Sequence, residues 1–557
     1  MNANGNSSKF SGIVRVSLLL TAALGGAALV GTASAQSPKT TFTVVRSDQW
    51  GAQNLNPFSP SSQHLLPTNS AIYETLFFVN SLNGKVVPVL GTKYAWSKDS
   101  KTLTVTTRSG VKWTDGQAFN ASDAAFTFNY LKQYPALDTQ GLWKSGLTSV
   151  TAPNPTTLVF SFGAPNTPVF QYISNTPIVP QHLWKDVKDP TTFTNPKPVA
   201  TGPFIFDSSS QQAIRVLKNP NYWMKGQPYV DAVVWVSTSS NDAALLKLLS
   251  GDVDYGYVGI SDPKGYAARG PNNTYWWPTN NINFLYFNTV KAPFNDPAFR
   301  RAVAQAINTK DVALKAYAGA VPAASVSSIF PTQQADWLPA SAKASLPTFD
   351  PAAADAALTA AGYKKNAQGV RLGKDGSPLP TYKILVGAGW TDYITMAQVV
   401  GDNLKKVGIN TSIDQQAWGS YSGGLQTGSY DMGISWGWGN GSSPYYTFNA
   451  AFSPDFSAPV GKTAPSNLSR YTNPAITSAL KAFSNTSDAA IQKKAMSTII
   501  TTVLKDMPWV PLTDRVQFAL FNTSRFTGFP SAANPYNDAS PDDSSGARLM
   551  YLNVKPK

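Results

Sequence analysis

Three Asx-Pro pairs constrain the fold of this chain more than any other local feature. Asp296-Pro297, Asp350-Pro351 and Asn473-Pro474 each set a side-chain acceptor before a residue with fixed φ and no N–H. Helix starts need that combination, because their first N–H groups lack partners and proline has none to lose. The pairs predict helices over Ala298–Ile307, from Pro351 to Ala361 with Gly362 as the stop, and from Pro474. Further helices are expected at Ala71–Phe78, Ala243–Leu249 (capped by Asn241 and ended by Gly251), Tyr393–Val407, and from Ser487 or Asp488 to Leu504. Runs with strand character lie at Thr41–Arg46, Thr102–Thr107, Thr157–Phe162, Val253–Val258, Lys383–Val386 and Asn410–Ile413. Strands alternate with helices and no repeat is visible, which predicts mixed α/β lobes.

Composition narrows the class. The chain has 557 residues, 42% hydrophobic and only 14% charged, with 41 Pro and 40 Gly, the profile of a loop-rich globular protein. Lys9 and Arg15 flank the apolar run Val16–Val30, and Ala33-Ser34-Ala35 is an A-x-A cleavage site. Residues 1–35 therefore read as a secretory signal peptide, with Gln36 opening the mature chain. No later segment has eighteen consecutive apolar residues, so a soluble protein outside the cytoplasm is expected. There is no cysteine, which excludes disulfides and a lipoprotein anchor and favours a free periplasmic protein.

The net charge is +14, or +12 without Lys9 and Arg15. The cations are scattered, with no run longer than a pair such as Lys364-Lys365, so nucleic acid is not an expected partner. Of 31 acidic residues only Glu74 is a glutamate. Few carboxylates means few groups to neutralise as pH falls, and an acidic external milieu is expected.

One block carries functional information. Val111–Leu131 reads VKWTDGQAFNASDAAFTFNYL: the turn Thr114-Asp115-Gly116 closes a hairpin, and Asn120 or Ser122 caps a helix. Ordered around it are Leu55-Asn56-Pro57-Phe58, Tyr73–Phe77, Ile178–Trp184, Thr201–Phe204 and Gly251-Asp252-Val253-Asp254. Then come Asn288 with Pro293–Asp296 and Arg300-Arg301-Ala302, and Phe349–Pro351 with Ala361–Tyr363. Together these resemble the extracytoplasmic solute-binding proteins, family 5, which feed ABC importers of peptides, nickel and some oligosaccharides. The resemblance runs along nearly the whole mature chain.

It implies a bilobed, type II periplasmic-binding-protein fold with a hinge and an extra third α/β domain. Lobe I would comprise residues 36–73, 200–287 and 512–557, the extra domain 74–199, and lobe II 288–511. It also implies a monomer that closes over a short linear oligomer and docks on membrane permease subunits, with no enzyme chemistry and no cofactor.

In such proteins the strand and turn after a Tyr-Asp pair line the cleft, here Tyr430–Gly441. Peptide binders carry an Asp soon after the Trp, for the ligand's ammonium. This chain has no Asp or Glu between Asp431 and Asp455, and Ile434 stands where some members have a carboxylate-binding Arg. An enclosed ammonium without a counter-charge costs roughly 3–5 kcal/mol, whereas a neutral sugar needs none. Tryptophan faces stack on sugar rings, and amide side chains both donate and accept. Trp436, Trp438, Asn440, Trp418 and Trp390 are the ligand candidates, with Trp276, Trp277 and Gln63 beside them. Trp390 lies in Gly387–Tyr393, similar to a segment of oligosaccharide-binding relatives. Peptide and neutral oligosaccharide both stay open.

Two rivals are weaker. Gly433-Ile434-Ser435-Trp436-Gly437 matches G-x-S-x-G, yet a nucleophile elbow needs a following helix and a later His, and His64 and His182 both lie upstream. Two isolated histidines and no cysteine give no metal-ligand cluster.

Overall fold

Three sheets organise the molecule, each made of strands far apart in sequence. A computed structural model describes residues 39–557, apart from 47–49, 60, 61, 63, 345, 440, 442, 542 and 543. The expected signal peptide, Gln63 and Asn440 lie outside the described residues.

The first sheet has seven strands, in the order Asn273–Trp276, Ala519–Asn522, Tyr255–Tyr257, Thr41–Arg46, Ala232–Ser237, Ala213–Lys218 and Phe204–Ser209. Thr41–Arg46 sits at its centre and pairs in parallel with both neighbours. The second sheet has five strands, in the order Thr411–Gln416, Tyr382–Gly387, Met432–Trp436, Thr279–Phe287 and Trp509–Val516. Its first three strands are mutually parallel. The third, antiparallel throughout, joins Gly91–Trp96, Thr102–Thr107, Thr157–Phe162 and Leu147–Asn154. These are the two lobes and the extra domain of a bilobed α/β binding-protein fold.

The strand Thr279–Phe287 explains how lobe II is built. Its side chains alternate between two buried cores: Leu285 and Phe287 enter one, Ile282, Phe284 and Tyr286 the other. It pairs with Met432–Trp436 on one side and Trp509–Val516 on the other. From sequence, residues 279–287 and 512–516 are expected in lobe I. They belong to the five-stranded sheet, because Thr279–Phe287 is hydrogen-bonded between Met432–Trp436 and Trp509–Val516. The chain passes between the lobe sheets at Trp277-Pro278 and at Gln517-Phe518, and the Gln517 N–H donates to the Pro278 carbonyl at 2.9 Å.

Local signals account for many helix starts. Asp296, Asp350 and Asn473 each accept a backbone N–H of the first turn, with proline at the head of the helix. Asn120 caps Ala121–Gln133 in a reciprocal capping box with Asp123. Asp123 also accepts the Gln181 N–H at 3.1 Å, and Asp115 of the hairpin turn contacts His182 at 2.7 Å. The block 111–131 thus holds the 178–184 segment in place within the extra domain. Asn120→Ala should cost about 1 kcal/mol of stability in denaturant titration, the usual worth of a cap.

Two local readings differ. No helix spans 71–78: a π-helical turn ends at Ile72, Tyr73 is extended, and Phe77–Val79 pairs as a strand with Val86–Pro88. Adjacent aromatics favour the pleated surface there. Ser240, not Asn241, caps the helix Asn241–Ser250, through a 3.2 Å bond from the Ala243 N–H. The side chain of Asn241 is thereby left for another partner.

Candidate ligand-binding site

Lobe II presents its aromatic side chains where three parallel strands end. Tyr382–Gly387 is followed by Trp390, Thr411–Gln416 by Trp418, and Met432–Trp436 by Trp438. In open α/β sheets, ligands sit outside the carboxyl ends of such strands, where side chains from separate loops converge. All four tryptophans line one cavity of about 310 Å³, near the lower end of the roughly 300–1,000 Å³ typical of ligand pockets.

The rings form a connected wall. Trp418 and Trp436 lie within 3° of parallel at 6.3 Å between centroids, and Trp436 and Trp438 within 15° at 6.4 Å. Trp390 leans on Trp418 and Trp436 at 6.0 and 6.2 Å. All four are half-buried, each keeping some surface accessible.

The backbone beneath them is pinned. The Tyr286 hydroxyl donates to the Trp436 carbonyl at 3.0 Å, Asn281 Nδ2 to the Gly437 carbonyl at 2.6 Å, and the Thr447 hydroxyl to the Gly439 carbonyl at 2.9 Å. Gly439 has φ +109°, and a Cβ there would lie 2.4 Å from the Tyr446 carbonyl oxygen. Only glycine fits that turn.

Lobe I supplies the facing wall through Arg46, Trp50, Asn241, Tyr257 and Gly259. Arg515 and Phe518 complete it near the crossing strands. The Arg515 guanidinium lies 4.9 Å over the Trp436 ring, and its Nη2 donates to the Tyr257 hydroxyl at 2.9 Å. Asp392 faces the cavity as well but is almost wholly buried. Its carboxylate accepts the Tyr317 hydroxyl at 3.0 Å and Asn241 Nδ2 at 3.3 Å. Burial raises its pKa, against the hydrogen bond from Tyr317.

Of the residues singled out from sequence, Trp390, Trp418, Trp436 and Trp438 come together at the cavity. Trp276 and Trp277 do not line it. Trp276 ends an edge strand beside Ala519, and Trp277 packs edge-on against Tyr275, Tyr317 and Phe518. Their place just before the lobe crossing makes them packing residues of the joint. Sequence reasoning passed over Arg46, Trp50, Tyr257, Arg515 and Phe518, which carry no local motif. Asp392 and Tyr393 lay within the Gly387–Tyr393 segment, where only the tryptophan drew attention.

Ser435 is fully buried within the strand Met432–Trp436, and the next helix begins only at Tyr445. His64 contacts Ser209, and His182 contacts Asp115. The elbow geometry is therefore not met. Among the described residues, no group of three or more His, Cys, Asp or Glu could hold a metal, and no helix is long and apolar enough to cross a membrane.

Two lobes, an aromatic cavity between them and paired crossings define a binding protein of the bilobed transport class. The sequence model of the bacterial extracellular solute-binding proteins, family 5 middle region, matches residues 85–458, and the chain belongs to that family. It is the substrate-binding component of an ABC importer.

The glutathione-binding protein GsiB of Salmonella typhi is 24% identical over 538 residues, covering 93% of this chain and 98% of that protein. Among solved structures, a periplasmic oligopeptide-binding protein of Thermotoga maritima bound to mannohexaose superposes with a TM-score of 0.87 at 26% identity. The match covers 93% of this chain and 99% of that one. The oligopeptide-binding protein AppA of Bacillus subtilis, in complex with a nonapeptide, shares the fold at 19% identity and a TM-score of 0.78, covering 93% and 100%.

Proposed function

We propose that the interlobe cavity captures a short neutral oligosaccharide, which the protein carries through the periplasm to its permease. The observation that carries this reading is the wall of four tryptophans raised on adjacent parallel strands. Flat apolar faces on neighbouring loops suit successive sugar rings, which stack on aromatic side chains. No carboxylate occurs between Asp431 and Asp455, and Asp392 is already engaged by two donors. A peptide ammonium would find no ready counter-charge there. The likeness to a mannohexaose-bound protein supports the same reading. Residues 1–35 would direct export and be removed, leaving a monomer.

Oligopeptide is the second reading. Arg46 and Arg515 in the lining favour it, since a guanidinium suits a ligand carboxylate, and GsiB is named for a peptide ligand. A thermal-shift screen with mannohexaose, cellohexaose, glutathione and mixed tetrapeptides separates the two. Ligand at a hundred times its Kd stabilises by about 2.7 kcal/mol. A shift with a hexaose and none with peptides is expected; the reverse would sink the sugar assignment. Trp276→Ala should leave affinity for the responding ligand unchanged, checked by calorimetry.

A further inference from the structure

We propose that Asp392 and Asn241 form a latch that holds the two lobes together in the lining of the cavity. Asp392 belongs to lobe II, at the start of the helix Thr391–Lys406, and Asn241 to lobe I, at the start of the helix Asn241–Ser250. Their hydrogen bond at 3.3 Å therefore crosses between lobes, whereas the Tyr317 bond to the same carboxylate stays within lobe II.

The surrounding backbone is cut to let these groups meet. A Cβ on Gly259 of lobe I would lie 2.5 Å from Asp392 Oδ2. A Cβ on Gly389 of lobe II would lie 2.8 Å from the Ser239 carbonyl of lobe I, and Gly389 has φ +77°. Two glycines, one on each lobe, thus stand where the lobes are in close contact. Such approaches leave no room for a side chain. Asn241 is available because Ser240 has taken over the capping role.

Asp392 is 6% exposed and Asn241 3%. Separating the lobes would expose both groups to water. The latch bond is made only in the closed arrangement and biases the equilibrium between states by its own differential energy. Asp392 acts here as a positioning residue, setting how readily the lobes stay shut. The proposal rests on the interlobe cavity being the binding site, but not on which ligand fills it.

The absence of cysteine allows a clean test. Spin labels at Ser250→Cys and Lys406→Cys, near the far ends of the two helices that meet at the latch, report lobe separation by pulsed dipolar spectroscopy in ligand-free protein. Asn241→Ala and Asp392→Ala should each move the distance distribution towards longer values. The double variant should move it no further than the larger single change, since both remove one bond. Gly259→Ala, which keeps every hydrogen-bonding group, should lengthen it as well.

Unchanged distributions in Asn241→Ala and Gly259→Ala, or fully additive shifts in the double variant, would overturn the latch. If Asp392→Ala does not fold, the other two variants decide. Because no ligand is added, a failed latch is distinguishable from a mistaken ligand assignment.

Discussion

Trp436→Ala should weaken binding of the responding oligomer by about 2–4 kcal/mol, on the order of 30- to 1,000-fold in Kd, the scale of a central aromatic anchor. Trp436 is the hub of the wall: Trp390, Trp418 and Trp438 all contact it, and Arg515 lies over its ring. Removing the indole takes away a stacking face and the support of its neighbours. The fold should survive, because Trp436 is half-buried and ends its strand, while the backbone below is held by Tyr286 and Asn281. Isothermal titration beside thermal unfolding checks both halves. Unchanged affinity in Trp436→Ala and in Trp438→Ala would remove the tryptophan wall from the binding site.

Asp514→Asn should remove a large part of the pH dependence of stability. Asp514 lies on the strand Trp509–Val516, is 2% exposed, and its Oδ1 has no hydrogen-bond partner among the described residues. Burial raises its pKa from 3.8 to about 7. The folded state then holds a proton that the unfolded state releases, so stability falls as pH rises from 3.8 to about 7. At about 1.4 kcal/mol per pH unit the loss over that interval is about 4.5 kcal/mol, as an upper bound. Denaturant titrations at pH 5 and pH 8 should show wild type weaker at pH 8 and a clearly smaller difference in Asp514→Asn, the remainder coming from Glu74 and Asp538. A wild-type slope retained in the variant would refute this.

Glu74 and Asp538 are pushed up by burial in the same sense. Asp296 and Asp355, where burial pulls upward but hydrogen bonds and nearby cations together outweigh it, act oppositely at lower pH.

Helix starts were legible because the signal is local. Asp296, Asp350, Asn473 and Asp488 all cap as their sequence context implies, and Thr102–Thr107 and Thr157–Phe162 keep their expected limits. The lobe II wall was legible through the resemblance, which pointed to the segment after Tyr430-Asp431 and to Gly387–Tyr393, and so to Trp436, Trp438 and Trp390. Lobe boundaries were less so. Thr279–Phe287 reads like any apolar strand, and only its pairing with Met432–Trp436 and Trp509–Val516 assigns it. The facing wall was invisible for the same cause. Arg46, Tyr257 and Arg515 meet through pairings more than two hundred residues apart, and no spacing rule reaches that far.

The paired crossings at Trp277-Pro278 and Gln517-Phe518 have a mechanical consequence. The Gln517 N–H bonds to the Pro278 carbonyl, so the two links between lobes are tied side by side instead of being independent tethers. Two free tethers would let the halves slide, twist and splay, and capture would first have to quench all of that freedom. Two tethers joined at one place leave a single axis, like the pin of a door. Shutting such a door costs little disorder, so more of what the ligand contributes remains as grip.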